Sequence, residues 1–266
     1  MPHERKTVKM KAVILAGGLG TRISEESHLR PKPMIEIGGM PILWHIMKIL
    51  STQSINEFVI CAGYKQEVIK DWFADYYLHA SDVTFDLTNG GRTTVHRNTS
   101  EAWKVTVADT GYATMTGGRL KKIKHYVGDE AFLMTYGDGV ANVNISDLVA
   151  YHQLSGTKAT LTAVHATQRF GVLDMDDGGL IKEFREKHDR DGSYINGGFM
   201  ILEPEVLDYI EDDSTVFESD TLFTLAQEGA LGAYRHEGFW QCMDMQREKQ
   251  LLEDMWAKGN APWKIW

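Results

Sequence analysis

The glycine-rich turn near the N-terminus constrains the fold of this sequence more than any other feature. Residues 10–16 read MKAVILA, an apolar run of the kind found in strands that are buried on both faces. The turn GGLGTR, residues 17–22, follows this run directly. Because glycine has no Cβ, the backbone N–H groups of such a turn can approach an anion closely. The pattern predicts a phosphate-binding loop at the end of a buried strand.

A lysine between two prolines follows the turn. It is Lys32, at the centre of the segment RPKPM at residues 30–34. Arg22 and Lys32 can pair with phosphate oxygens, and the two prolines stiffen the backbone that presents the lysine. Two common phosphate motifs are excluded, because GxxxxGK[ST] is absent and GxGxxG fails at Ile23, where Gly or Ala is needed. The alternative, a plain turn with surface cations, is disfavoured by the two basic residues together.

Short apolar runs alternate with amphipathic segments in the first half of the chain, which favours an α/β sandwich with a largely parallel sheet. Beyond Asp147 the order becomes mixed, with a hairpin pair at 170–175 and 180–184 and one strand over 194–202. The other predicted strands are 10–16, 58–62, 104–108, 131–136 and 159–166, and the predicted helices are 40–50, 66–79, 118–126, 219–227 and 245–258.

A carboxylate follows the fourth of these strands. Asp138 lies between Gly137 and Gly139, at the carboxyl end of the strand, where ligands bind in open α/β sheets. The two glycines leave room for a nucleotide, and a carboxylate suits Mg²⁺, a hard cation that bridges phosphates. An aspartate that caps the next element is the alternative for Asp138.

Composition narrows the class of protein. The formal net charge of −9 argues against a nucleic-acid-binding surface. The two cysteines are too few for a disulfide framework and indicate a reducing compartment. No apolar run approaches the ~18 residues of a membrane span, and residues 1–9 lack the apolar stretch of a signal peptide. We therefore expect a cytoplasmic protein that binds neither nucleic acid nor membrane.

The turn GGLGTR followed by PKPM resembles the signature of the sugar-1-phosphate nucleotidyltransferases. The segments RFGVLDM, FREK and YINGGFMIL extend the resemblance from Met10 to the C-terminal helix. It implies a Rossmann-like fold with a mixed, mostly parallel central sheet, flanking helices and a small sugar-binding β subregion. We expect one domain over 10–266, with 10–147 mainly binding nucleotide and 148–266 mainly binding the sugar phosphate, after a tag or disordered extension at 1–9.

The resemblance also implies a reaction. A cytidylyl group would pass from CTP to α-D-glucose 1-phosphate with the help of Mg²⁺, and pyrophosphate would leave. The enzyme would be a homohexamer that serves the synthesis of dideoxysugars and O-antigen in bacteria. From the residues alone, uridylyl and thymidylyl transfer stay open. A non-catalytic nucleotide-sugar sensor would tolerate the loss of Lys32 or Asp138, and both are present. The failed GxGxxG motif disfavours an NAD-dependent oxidoreductase.

Site residues follow from the resemblance as well. The implied catalytic residues are Lys32, Arg22 and Asp138, and the implied metal ligands are Asp138 and Asp244. The alternative for Asp244 is a helix N-cap. The implied nucleotide-binding residues are Leu15, Ala16, Gly17, Gly18, Leu19, Gly20, Thr21, Arg22, Lys32, Thr114, Met115, Thr116, Gly117, Gly118 and Gly137. The implied substrate-binding residues are Gly171, Glu186, Lys187, Asn196 and Gly197.

Overall fold

The structure is a computed structural model that describes residues 10–23, 26, 28–88, 90–165, 172–175, 181–185 and 194–266, with backbone alone at residue 22 and at 172–175 and 181–185. Its strands are β1 (Lys11–Ala16), β2 (Glu36–Ile37), β3 (Met40–Pro41), β4 (Glu57–Ala62), β5 (Ser81–Asp86), β6 (Arg92–Asn98), β7 (Lys104–Asp109), β8 (Phe132–Tyr136), β9 (Gly139–Ala141), β10 (Ala159–His165), β11 (Val172–Met175), β12 (Ile181–Arg185), β13 (Tyr194–Asn196), β14 (Met200–Leu202), β15 (Leu231–His236) and β16 (Trp240–Cys242). Its α-helices are α1 (Ile42–Ser51), α2 (Gln66–His79), α3 (Thr116–Lys122), α4 (Lys124–Val127), α5 (Ile145–Ser155), α6 (Leu222–Gln227) and α7 (Gln246–Ala257).

An eight-stranded sheet organises the fold, with strand order β13-β10-β14-β8-β1-β4-β7 and with β15 added on β10. The strands β8, β1, β4 and β7 pair in parallel, as does β15 with β10. The strand β14 runs antiparallel between β8 and β10, and β13 also pairs antiparallel with β10. The predicted mixed, mostly parallel sheet is therefore confirmed.

The central strand β1 is buried on both faces, as its apolar run predicts. Ala12, Ile14 and Ala16 contribute to the hydrophobic core on one side of the sheet, whereas Val13 and Leu15 contribute to the core on the other side. Successive side chains of a strand point to opposite faces, so one short run serves both cores. Loops that leave the carboxyl end of this strand start from a rigid support.

Several predicted elements agree with the structure, and two are wrong in detail. The helix predicted at 66–79 is α2, and the hairpin pair predicted after residue 170 is β11 with β12. The single helix predicted at 118–126 is instead α3 and α4, which are separated at Ile123. The single strand predicted over 194–202 is divided into β13 and β14, because Gly198 and Phe199 adopt positive φ values of 74° and 43°. A left-handed conformation is unusual for phenylalanine and interrupts an extended strand.

The C-terminal part of the chain returns to the centre of the molecule. The short strand β16 pairs antiparallel with β9, which follows β8 directly. The buried side chain of Trp263 then packs among Phe239, Trp256 and His45. Within the part of the chain that the structure describes, none of the helices has the length and apolar character needed to cross a membrane.

Candidate functional site

A cavity of about 460 Å³ opens at the carboxyl ends of β1 and β8. This is the edge at which open α/β sheets bind ligands. The predicted nucleotide-binding residues that line it are Leu15, Ala16, Gly17, Gly18, Gly20, Thr21, Lys32, Thr114, Met115, Thr116 and Gly137. Sequence reasoning did not assign Pro33, Arg119 and Tyr136, which also line the cavity.

Lys32 is held between two carboxylates at this cavity. Its Nζ atom donates a hydrogen bond of 2.6 Å to Oδ2 of Asp138 and another to Oδ1 of Asp244. Burial by itself would lower the pKa of Lys32, but the charge and hydrogen bond of Asp138, joined by those of Asp244, raise it above the usual 10.5. The side chain therefore stays an ammonium ion in the neutral range of pH.

Strand pairing explains why the two aspartates meet although they are far apart in sequence. In the β9–β16 ladder, Gly139 faces Cys242, and the backbone N–H of Met243 donates to the carbonyl oxygen of Asp138 at 2.8 Å. Asp138 directly precedes β9 and Asp244 follows β16 by two residues, so the antiparallel pairing brings both aspartates to the same end of the ladder. The sequence-based prediction that Asp138 and Asp244 converge agrees with this placement.

The helix-cap alternative for Asp244 does not describe its position. The N-cap of α7 is Met245, and the backbone N–H groups of Asp244 and Met245 donate to Oε2 of Glu248 at 2.6 and 3.0 Å. Glu248 thus completes the start of the helix, while the carboxylate of Asp244 faces Lys32. The helix end fixes the backbone of Asp244 and leaves its side chain at the cavity.

The two carboxylates fit a hard divalent cation. Both reach one atom, Nζ of Lys32, so their oxygens surround a common point at the cavity wall. Among the described residues no group of three or more His, Cys, Asp or Glu side chains is arranged to hold a metal ion. Mg²⁺ is commonly held by one or two carboxylates together with substrate phosphates and water, so two protein ligands are enough for it.

Close contacts with neighbouring atoms favour glycine at two lining positions. A Cβ at Gly137 would lie 2.9 Å from the carbonyl oxygen of Leu15 and 2.9 Å from Cγ of Pro33. The N–H of Gly137 donates to that same carbonyl oxygen at 2.9 Å. A Cβ at Gly17 would lie 2.2 Å from Nη1 of Arg119. Glycine therefore lets the loop, the Lys32 segment and the end of β8 lie against one another.

The side chain of Arg119 supports the glycine loop through hydrogen bonds to the backbone. Its buried guanidinium donates to the carbonyl oxygens of Gly17 and Gly111 at 3.0 and 2.7 Å, and to Oγ1 of Thr110 at 2.8 Å. Burial lowers the pKa of the Arg119 guanidinium, which remains a cation at neutral pH. Its acceptors come from separate segments of the chain. The one sequence signal that could have pointed to Arg119 was its position directly after two glycines, at the start of a short helix.

The segment at 114–118, whose residues are predicted to bind nucleotide, is docked on a later part of the chain. The backbone N–H of Met115 donates to the carbonyl oxygen of Asp213 at 2.8 Å, and that of Gly117 donates to Thr215 at 3.0 Å. A Cβ at Gly117 or at Gly118 would collide with these partners, at 2.8 and 2.6 Å. These two predicted nucleotide-binding glycines are buried against the 213–215 segment and do not line the cavity. The predicted Leu19 does not line it either and is 44% exposed.

The predicted sugar-side residues Asn196 and Gly197 lie next to the end of β8. The amide of Asn196 donates to the hydroxyl oxygen of Tyr136 at 3.3 Å, and its Oδ1 accepts the N–H of Gly198 at 2.9 Å. The carbonyl oxygen of Gly197 accepts the indole N–H of Trp240 at 2.8 Å. Three further predicted residues, Gly171, Glu186 and Lys187, lie outside the described residues, as does the side chain of Arg22.

Known proteins resemble this chain over nearly its whole length. The model of the family described as "Nucleotidyl transferase" matches residues 11–245. Glucose-1-phosphate cytidylyltransferase of Salmonella typhi is 56% identical over 258 residues, which cover 97% of this chain and 100% of that protein. The probable glucose-1-phosphate cytidylyltransferase of Bacillus subtilis is 46% identical with the same coverage. The crystal structure of HddC from Yersinia pseudotuberculosis has the same fold, with a TM-score of 0.69, 22% identity and coverage of 93% of this chain and 99% of that one.

Proposed function

The chain belongs to the nucleotidyl transferase family, and we propose that it is the enzyme that transfers a cytidylyl group from CTP to α-D-glucose 1-phosphate. The products are CDP-glucose and pyrophosphate. The observation that carries the catalytic part of the proposal is the position of Lys32, held by Asp138 and Asp244 at a cavity lined by a glycine loop. The choice of CTP and glucose 1-phosphate rests on the full-length relatives, of which the Salmonella typhi protein is 56% identical.

The chemistry is a direct in-line displacement. A phosphate oxygen of the sugar phosphate attacks the α-phosphorus of CTP, and the bond from that phosphorus to the pyrophosphate oxygen breaks. The nucleophile is already ionised at neutral pH, so the protein needs neither a general base nor a covalent intermediate. Its task is to bring two polyanions together and to neutralise the charge that develops.

This chain's own groups carry out that task. The ammonium of Lys32 is desolvated and is held at the cavity by two hydrogen bonds. It is therefore a preorganised cation for the phosphate oxygens. The backbone amides of Gly17, Gly18 and Gly20, which line the cavity, are assigned as hydrogen-bond donors to the phosphates. Arg22 is assigned as a second phosphate-binding cation by its place in the motif GGLGTR. Thr114, Met115 and Thr116 are assigned to the base and ribose.

Asp138 and Asp244 would hold Mg²⁺ at this site. The ion, when bound with CTP, supplies positive charge to the phosphate oxygens. The two aspartates would hold it through their carboxylates, which the β9–β16 pairing brings together. On the sugar side, Asn196 and Gly197 together with Gly171, Glu186 and Lys187 are assigned to the sugar phosphate. We also propose a homohexamer in the cytoplasm that serves the synthesis of bacterial dideoxysugars.

A pyrophosphate-release assay tests the proposed function. Four nucleoside triphosphates are combined with several sugar 1-phosphates at fixed Mg²⁺, and we expect the highest kcat/KM with CTP and glucose 1-phosphate. Equal or better use of UTP or dTTP would leave a nucleotidyltransferase of different base specificity. A folded protein that binds a nucleotide sugar and releases no pyrophosphate with any pair would be a sensor.

A further inference from the structure

We infer that Glu218 is a positioning residue that ties the nucleotide side of the cavity to the sugar-phosphate side. The inference rests on the proposed function and adds to it a residue that none of the motifs contains. Glu218 belongs to a five-residue π-helical turn, Phe217–Thr221, that precedes α6. Such turns are rare and occur frequently at functional sites, because the extra residue redirects side chains.

The carboxylate of Glu218 accepts one hydrogen bond from each side of the cavity. Oε2 accepts from the hydroxyl of Thr116 at 2.7 Å, and Oε1 accepts from the hydroxyl of Tyr136 at 2.6 Å. Thr116 and Tyr136 both line the cavity, although they belong to different elements, α3 and β8. A single half-buried side chain thus fixes the relative positions of two walls.

The connection continues to the predicted sugar side through Tyr136. Its one hydroxyl proton is donated to Glu218, so its oxygen is available to accept the amide N–H of Asn196 at 3.3 Å. Burial, followed by the charge and the hydrogen bond of Glu218, strongly raises the pKa of Tyr136, which keeps the phenol protonated. Tyr136 is therefore a fixed link between Glu218 and Asn196.

On the nucleotide side, the link reaches the segment assigned to the base. The hydroxyl oxygen of Thr116 accepts the backbone N–H of Phe217 at 2.9 Å and gives its own proton to Glu218. The backbone bonds from Met115 and Gly117 hold the same segment independently of any side chain. Loss of the carboxylate should therefore leave the segment docked and should release its alignment with Tyr136.

Kinetics separate this role from general stability. Removal of the carboxylate deletes two hydrogen bonds to a charged acceptor, so we expect Glu218→Ala to raise the KM for CTP and the KM for glucose 1-phosphate, each by roughly tenfold or more. The value of kcat should fall less, because the hydrogen bonds of Glu218 go to Thr116 and Tyr136, whereas those of Lys32 go to Asp138 and Asp244. Glu218→Gln should lie between Glu218→Ala and the wild type, because an amide retains the shape and one acceptor.

A matched control is Glu228, which accepts the hydroxyl proton of Tyr209 at 2.7 Å on the surface, just after α6. Glu228→Ala and Glu228→Gln remove the same kind of tyrosine–carboxylate bond outside the cavity, and both KM values should stay unchanged. Thermal melting of every variant reports the structural part of each effect. The double variant Tyr136→Phe, Glu218→Ala should be no worse for glucose 1-phosphate than Glu218→Ala alone, because both changes break one link.

The outcomes decide between the roles. A lower melting temperature with both KM values unchanged in Glu218→Ala and Glu218→Gln would make Glu218 merely structural, and a rise for one substrate alone would also overturn the inference. If Glu218→Ala does not fold, Glu218→Gln and Tyr136→Phe carry the decision by the same two KM values. A wild type that releases no pyrophosphate from CTP and glucose 1-phosphate would contradict the proposed function instead. In that case calorimetry would compare the affinity of the wild type and of Glu218→Gln for whichever of the four nucleoside triphosphates binds the wild type most tightly. Equal affinity of the two proteins would overturn the inference.

Discussion

The Nζ atom of Lys32 lies 2.6 Å from Oδ2 of Asp138, across 106 residues of sequence. The lysine follows the glycine loop, and the aspartate follows a different buried strand of the same sheet. The pair is only partly exposed, with 12% of the lysine side chain and 28% of the aspartate side chain accessible. Cation and carboxylate are thus set in place before any substrate arrives.

Lys32→Ala should lower kcat by roughly 10²–10³ while the protein stays folded. The reason is that one preorganised cation no longer stabilises the negative charge that forms in the transition state. The measurement is pyrophosphate release at saturating substrates, with circular dichroism to monitor the fold. Lys104→Ala is the control, because Lys104 makes a 2.9 Å ion pair with Glu57 on the surface and its side chain is 75% exposed. Near-normal turnover in the folded Lys32 variant would assign the role to another cation.

Asp138→Asn and Asp244→Asn should each abolish most of the activity and preserve the fold, because they keep the side-chain shape and remove a charge that holds Mg²⁺. Activity is measured against Mg²⁺ concentration for the wild type and both variants. Asp208→Asn, which changes an exposed carboxylate paired with Lys124, should behave like the wild type. A wild type that works without divalent cation would contradict the metal site, and a normal Asp244 variant would reduce it to Asp138 alone.

Gly17→Ala should destabilise the protein by about 1–3 kcal/mol, the usual cost of inserting a group into a packed interior. The new Cβ would lie 2.2 Å from Nη1 of Arg119, and this guanidinium cannot move aside without losing its hydrogen bonds to Gly111 and Thr110. Gly18→Ala is the matched control, because no atom lies within 4 Å of the Cβ it would introduce. Urea unfolding measures the stability of both variants. Equal stability would show that the guanidinium of Arg119 moves aside at little cost in free energy.

Stability should fall as the pH drops from about 6.5 to about 4, partly because of His45. Burial, with a minor contribution from Lys264, lowers the pKa of His45 to about 4. The unfolded chain binds a proton near pH 6.5 and the folded chain does not, so the folded state loses up to about 3 kcal/mol across this window and nothing further below it. Nε2 of His45 donates to the carbonyl oxygen of Ile37 at 2.8 Å, which fits the neutral ring.

The pH effect is measured by urea unfolding of the wild type and His45→Gln at several pH values between 4 and 7.5. Other groups contribute equally to both proteins, so the difference between the two free energies of unfolding isolates His45. This difference should shrink as the pH decreases through the window. Parallel pH profiles would show that His45 does not titrate in this range.

The features that sequence predicted correctly are the ones set by local pattern. The apolar run of β1 and the glycines after it occupy neighbouring positions, and their consequences appear within the same few residues. Lys32 and Asp138 were likewise selected by the residues beside them, and both line the cavity, while their roles stay a prediction. The meeting of Asp138 with Asp244 required the resemblance to a family, because a β-ladder between β9 and β16 cannot be read from either strand alone.

The features that sequence missed depend on contacts between distant segments. The close packing of Gly117 and Gly118 against the 213–215 segment is one such feature, and the assignment of these glycines to the nucleotide stays a prediction. Arg119 gave no local sign of the carbonyl oxygens that it binds. The strand predicted over 194–202 is interrupted because Phe199 adopts a positive φ, which no residue preference would suggest.

The pairing of β9 with β16 determines when the site is completed as the polypeptide is translated. Segments near the N-terminus leave the ribosome first, so the glycine loop and Lys32 can reach their places on the sheet while the end of the chain is still being translated. Asp244 follows β16, so its carboxylate is synthesised 212 residues after Lys32. A prematurely terminated chain that lacks β16 would carry the phosphate loop without the second carboxylate. A polypeptide therefore has the complete Lys32 site only after β16 has been translated and has paired with β9.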